Sequence, residues 1–265
     1  MVVDAFLTVN DTLEIRRMMA TRNLIIRLKK ALKYENSFEY KFDRVQSITI
    51  QYAPDNSFRI FTWQLMVSKT EYRYFGAIQL NTPEVNLIPL SDRSEGISDF
   101  NFATVDNRQW YGALYYNIKQ LEQNGKKYYL LFGYDSHNYR DRRKVLEVLH
   151  FENGRPLFGA PLIPNSEGQM LYRMLLEFHA SSSVRLNFDE ALDLIIFDHL
   201  ITIPGRNGEG PMSVSDGSYQ GLKIQDGKLV YQEKIFNQIS DEAPREEPVL
   251  NAKGKDLFGR NKKKN

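Results

Sequence analysis

The stretch SITIQYAPDNSFRIFTWQL, residues 47–65, constrains the fold more than any other part of this chain. It reads as a β-hairpin: a strand over residues 47–53, a turn at Pro54, Asp55, Asn56 and Ser57, and a returning strand over residues 58–65. Side chains alternate across a strand, so Ile48, Ile50 and Tyr52 share one face, and Phe58, Ile60, Thr62 and Gln64 share one face of the partner. Phe61, Trp63 and Leu65 fall on the opposite face, which predicts a returning strand covered on both sides and Trp63 as a core anchor. Pro presets φ while Asp and Asn fold their side chains back onto the local backbone, so the turn has a mechanism.

Strands of the same kind follow to residue 236. Residues 71–80 and 84–90 complete a first group, and a polar loop, SDRSEGISD, closes it. A second group comprises residues 109–118, a Gln123-Asn124-Gly125 turn, residues 126–135 and 143–152, then Asn153-Gly154 and the return RPLFGAPLI. Asn-Gly between apolar runs is a strong hairpin signal because both residues tolerate positive φ. A third group covers residues 171–180, 183–189 and 193–200, and a fourth pairs SYQGLKIQ with KLVYQEKIF across Asp226-Gly227. The 15 Tyr and 16 Phe fit such pleated, half-buried surfaces. The expected fold is mainly β, in antiparallel meanders arranged like a propeller of few blades, with one large β-sandwich as the alternative.

One N-terminal amphipathic helix is predicted over residues 11–33. Asp11 with Glu14 resembles a capping box, and Met18, Ile25, Leu28 and Leu32 form its apolar stripe. Its basic residues read as a solvated side of a helix packed on a sheet, in preference to a membrane or nucleic-acid contact. The chain thus divides into a helical segment, 1–35, a β-rich domain, 36–239, and a charged tail, 240–265, whose Pro244, Pro248 and terminal lysines predict flexibility.

Taken in order, NSFEYKFDRVQSITIQYAPDNSFRIFTWQL, YRYFGAIQL, WYGALYYNI, RKVLEVLHFENGRPLFGAP and IIFDHL resemble a family of uncharacterised exported proteins of Bacteroidota. The resemblance spans roughly residues 36–200 and implies a periplasmic or envelope location. It carries over no catalytic residue. The start of the chain departs from the family pattern: MVVDAFLTVNDTLEI includes Asp4 and no long apolar run, so it does not read as an export signal.

The chemistry that the residues allow is limited. With 0 Cys there are no disulfides, thiolate metal sites or Cys nucleophile, and a net charge of +2 gives no reason to expect a nucleic-acid partner. No stretch approaches the roughly 18 apolar residues of a membrane span. Of the 4 histidines, His137 and His199 lie beside carboxylates, in Asp135-x-His137 and Asp198-His199, and these four residues are the candidate metal ligands. Alternation points Asp198 and His199 to opposite faces, so Asp198 is expected to bind turn backbone instead. His150 and His179 sit within strands and read as packing residues. The loop YDSHNYRDRR, residues 134–143, gathers Tyr134, Asp135, His137, Tyr139 and Arg140, types that bind sugars, phosphates or peptides. Gly205 to Gly210 lacks the Lys-Ser/Thr pair of a phosphate loop. Ser181, Ser182 and Ser183 read as a turn. The expectation is a non-catalytic binding or structural protein of the bacterial envelope, without cofactor, with a protein or glycan partner. The alternative is a metal-dependent hydrolase acting on a glycan or phosphoester through Asp135, His137, Asp198 and His199.

Overall fold

The computed structural model describes residues 1–205 and 210–235, and within it the 47–65 hairpin lies between two apolar layers. Strands β1 (Thr49–Tyr52), β2 (Phe58–Met66), β3 (Tyr72–Leu80) and β4 (Asn86–Ser91) form an antiparallel meander in sequence order. Ile50 pairs with Phe61 and Tyr52 with Arg59, which puts the expected residues on common faces. Phe58 and Ile60 pack with Tyr74 and Ile78 towards a second sheet, while Phe61 and Trp63 pack towards the N-terminal helices. Trp63 is 3% exposed and stacks on Phe75 at 5.9 Å, in agreement with its predicted anchoring role. At the turn, Asn56 takes a φ of 56° and the Ser57 amide donates to Asp55 Oδ1.

The second sheet is built from β5 (Val105–Asp106), β6 (Leu114–Gln123), β7 (Lys126–Asp135), β8 (Asp141–Glu152) and β9 (Arg155–Phe158), in the order β5-β9-β8-β7-β6. A short ribbon follows, β10 (Ile163–Pro164) with β11 (Met170–Leu171), and then β12 (Arg173–His179), which pairs with β8. The third sheet is the meander β13 (Leu186–Asp189), β14 (Leu194–Ile203), β15 (Met212–Gln225) and β16 (Lys228–Gln232). Asn124-Gly125, Asn153-Gly154 and Asp226-Gly227 all have positive φ at both residues, the geometry that matches strand twist in two-residue hairpins. The second sheet is apolar on both faces. Tyr129, Leu131, Val145 and Leu149 pack towards the first sheet, and Leu130, Phe132, Leu146 and Val148 towards the third. The sheets do not close into a barrel.

Three expectations are corrected here. The four strand groups become three main sheets, because residues 173–179 join the second sheet and the remaining strands of the third and fourth groups merge. Arg173 lies opposite Glu147 in that pairing, and the two form a fully buried ion pair at 2.6 Å. Residues 109–113 are not strand. Trp110 and Tyr111 are wholly buried, with Trp110 Nε1 donating to Tyr115 Oη, and Gly112 lets the segment press against Asp92 and Tyr74. A Cβ at Gly112 would lie 2.6 Å from that of Tyr74.

The third correction concerns the N-terminus, which folds as two helices, α1 (Val2–Asn10) and α2 (Glu14–Ala31). Asp11 terminates α1 and its carboxylate accepts from the Leu13 amide, so the expected capping box gives way to a tight turn. The inward face of α2 is Arg17, Ala20, Thr21, Leu24 and Leu28, rotated from the predicted stripe, and Met18 and Ile25 are exposed. The rotation follows from Arg17, whose guanidinium donates to the carbonyls of Met66 and Val67 at the end of β2. The helices share a core with Phe61 and Trp63, and Met1–Ile235 forms one compact unit. The predicted tail, 240–265, and most of the Gly205–Gly210 loop lie outside the described residues.

Candidate functional site

Asp135 ends β7, where the β7–β8 hairpin opens into residues 136–140. Its register partner on β8 is Arg143, and the partner of Arg143 on β12 is Glu177. An acid, a base and an acid therefore run straight across three neighbouring strands, where side chains on one face lie in contact. Arg143 Nη2 and Nε lie 2.6 and 2.7 Å from Glu177 Oε2, and Nη1 lies 4.0 Å from Asp135 Oδ2.

Tyrosines from outside these strands complete the network. Tyr74 on β3 donates to Asp135 Oδ1 at 3.0 Å, Tyr111 donates to Oδ2 at 2.7 Å, and the His137 amide donates to Oδ1 at 2.7 Å. Asp135 is only 6% exposed, so these donors replace the water it would otherwise keep. Burial, reinforced by the neighbouring Asp135 charge, raises both tyrosines well above the ordinary phenol pKa. They remain protonated donors at neutral pH. The Ser136 amide in turn donates to Tyr74 Oη, and Ser136 Oγ donates to Gln64, which fixes the loop to the first sheet.

His137 adopts a left-handed backbone, φ 46°, that sets its ring between two carboxylates: Nδ1 is 4.0 Å from Asp135 and Nε2 is 3.9 Å from Glu177. Burial, with a further contribution from the Arg143 charge, lowers its pKa, so the imidazole is neutral at pH 7. Neither carboxylate is close enough to hydrogen-bond it. A cleft of about 360 Å³ opens beside these groups, bounded on the far side by Glu71, Tyr72, Ser94 and Glu95.

The other candidate pair belongs to the third sheet. Asp198 is buried and accepts from the Arg185 amide at 2.6 Å and from Ser215 Oγ, the backbone-binding role expected for it. His199 pairs with Asp216 at 2.8 Å, an acid held down to about 2 by hydrogen bonds from Ser218 and His199. Asp135 and His137 are brought together, whereas Asp198 and His199 are engaged with partners of their own. Among the described residues no three His, Asp or Glu side chains are grouped so as to hold a metal ion. His150 is buried beside Tyr128, and His179 binds Ser181 Oγ at 2.7 Å. Within the loop, Arg140 reaches away to the carbonyl of Pro211 and Tyr139 is exposed.

Four members of the network, Tyr74, Tyr111, Arg143 and Glu177, were not singled out by the sequence. A usable signal existed for Tyr74. Alternation puts it on the same face as Ile78, and a tyrosine buried between sheets needs a partner for its hydroxyl. Compared with protein-family models, curated proteins and solved structures, the chain matches none.

Proposed function

We propose that this is a non-catalytic, β-rich binding protein of the bacterial envelope, and that its cleft at Asp135 and Arg143 takes a hydroxyl-rich ligand, of which a glycan is the class that fits. The observation that carries this reading is the engagement of Asp135. Both its oxygens are occupied by Tyr74, Tyr111 and the His137 amide, so the carboxylate serves as scaffold, while Arg143 and Glu71 offer charge and Tyr72 a ring to the open cleft. Sugars are held in this manner, by planar polar groups and one aromatic face. The envelope location rests on the family resemblance. Three sheets packed through shared apolar layers, two of them meanders, support blade-like units over a single two-sheet sandwich.

Ligand-observed NMR against envelope glycan fragments tests the reading. Wild type is expected to show saturation transfer that Arg143→Ala and Tyr72→Ala each weaken by about tenfold in affinity, as for loss of one charge-assisted bond or one stacking contact. Equal binding by wild type and both variants would place the ligand elsewhere. The hydrolase alternative draws on the neutral His137 alone, because Asp198 and His199 are engaged with partners of their own. Turnover of chromogenic glycosides or phosphoesters with added zinc or manganese, abolished in His137→Ala, would establish it over the binding role.

A further inference from the structure

The N-terminal helices pack one face onto the first sheet, and the opposite face of α2 mixes basic with large apolar side chains. Ile15, Met19 and Ile26 are 62%, 58% and 55% exposed, and in α1 Phe6 is 56% exposed beside Val2 and Val3. Spacings of four, three and four place Ile15, Met19, Arg22 and Ile26 along one line of α2, which Lys29, Lys30 and Lys33 continue. This line lies opposite the inward Arg17, Ala20, Thr21, Leu24 and Leu28. Large side chains clustered in water on a ridge are unusual for a soluble surface and mark a contact.

Charge identifies the kind of partner. Residues 1–33 contain seven Lys and Arg against three Asp and Glu, although the whole chain is only +2. Of the three acids, Asp4 is turned inward and paired with the N-terminus and Arg27. Arg16, Arg22, Lys29, Lys30 and Lys33 are exposed and form no ion pair among the described residues. A second copy of this face would set like charges against each other, so self-association is disfavoured. A nucleic-acid backbone would answer the cations and leave the isoleucines, Met19 and Phe6 against phosphate. A bilayer answers both, because its headgroups can carry negative charge and its acyl boundary takes apolar side chains. No described helix is long and apolar enough to cross a membrane, so the contact is with the surface.

We infer that the outward face of α1 and α2 docks this protein on anionic lipid surfaces, Phe6, Ile15, Met19 and Ile26 entering the headgroup boundary while Arg22, Lys29, Lys30 and Lys33 bind the headgroups. The inference stands apart from the cleft at Asp135. Co-sedimentation of the full chain with vesicles of phosphatidylcholine, alone or with one-third phosphatidylglycerol, tests it. Binding is expected to be at least about tenfold stronger to the anionic vesicles and to weaken with salt. The triple variant Ile15→Ser, Met19→Ser, Ile26→Ser and the triple variant Lys29→Gln, Lys30→Gln, Lys33→Gln should each lose about tenfold or more at an unchanged melting temperature. Absence of wild-type binding, or equal binding to both vesicles, would overturn the inference. It would also be overturned if duplex DNA bound with wild-type affinity to the serine variant, or if wild type were a dimer that this variant dissolves.

Discussion

Arg59 offers the sharpest test of how this fold is held. It is the second residue of β2, is 0% exposed, and forms no ion pair with a carboxylate among the described residues. Its guanidinium donates through Nε to Gln79 Oε1 at 2.9 Å, through Nη1 to Tyr40 O and Tyr52 Oη at 2.7 Å each, and through Nη2 to Ser37 O at 2.5 Å. The rings of Phe38, Phe42, Tyr52 and Phe61 surround it at 4.7–5.5 Å. One side chain thus fastens the connector between α2 and β1 to the first sheet, by hydrogen bonds at its edge and by cation–π contact on its faces.

Arg59→Met preserves the bulk of the stem and removes every donor. Gln79 Oε1 is left buried without a partner, at about 1–3 kcal/mol, while the Ser37 carbonyl loses one of its two donors and keeps the Tyr40 amide, at about 1 kcal/mol. Loss of the cation–π contacts adds up to about 2 kcal/mol. Relief of the guanidinium's desolvation works in the opposite direction. The balance is a destabilisation of about 2–5 kcal/mol, a large part of the roughly 5–15 kcal/mol that folded domains possess. Arg59→Lys should recover only part, because three tetrahedral donors cannot match four acceptors arranged around a planar fork. Urea titration followed by tryptophan fluorescence measures both variants, since Trp63 shares a core with Phe42 and Phe61. An Arg59→Met midpoint equal to or above that of wild type would refute the reasoning, and the connector would then be held by its aromatic side chains alone.

Trp63→Ala should destabilise by about 3–5 kcal/mol, the usual loss for a buried aromatic, and the wild-type indole should resist an aqueous quencher; free quenching with an unchanged urea midpoint would contradict its placement. Tyr111→Phe removes one donor from the buried Asp135 carboxylate and should lower stability by about 1–3 kcal/mol, read as a drop in melting temperature. Burial pushes the Asp55 carboxyl up, but hydrogen bonds from Lys127, Ser57 and Tyr129 outweigh it and hold the pKa at about 2. The folded value lies below the unfolded one, so this contribution is present above about pH 4 and is lost as pH falls through 2. Asp55→Asn should therefore melt below wild type at pH 6, with the gap closing in acid.

The parts of the fold visible in the sequence are those encoded by short-range pattern. The alternation in residues 58–65 placed Phe58 and Ile60 on one face and Phe61 and Trp63 on the other, and both assignments hold. Asn-Gly and Asp-Gly marked three hairpins because few residues tolerate paired positive φ. What escaped depends on partners far apart in the chain. Residues 173–179 have the alternation of any strand, and nothing local says that β8, rather than β13, is their neighbour. The inward turn of Arg17 is equally silent, since the carbonyls it binds lie 49 and 50 residues away. The site shows the same division: Asp135 and His137 stood out by composition, while Tyr74 reaches Asp135 across 61 residues.

The same division runs through the residues that line the cleft. The chemically varied loop at residues 134–143 contributes its side chains unevenly: Tyr139 is exposed and Arg140 turns to Pro211. The cleft is lined by the strand residues Tyr72, Tyr74, Asp135 and Arg143 together with connecting residues such as Glu71, Glu95, His137 and Asn138, and the strand register sets Asp135 against Arg143 and Arg143 against Glu177. Strands buried on both faces cannot slip by a residue without exposing a core row, so this charge row is as fixed as the packing of Leu131, Val145 and Leu149 behind it. The tyrosines from outside these strands then lock Asp135, and Tyr74 also lines the cleft. A ligand of the proposed kind would meet a row of charge already set by strand register, which lowers the ordering cost of binding.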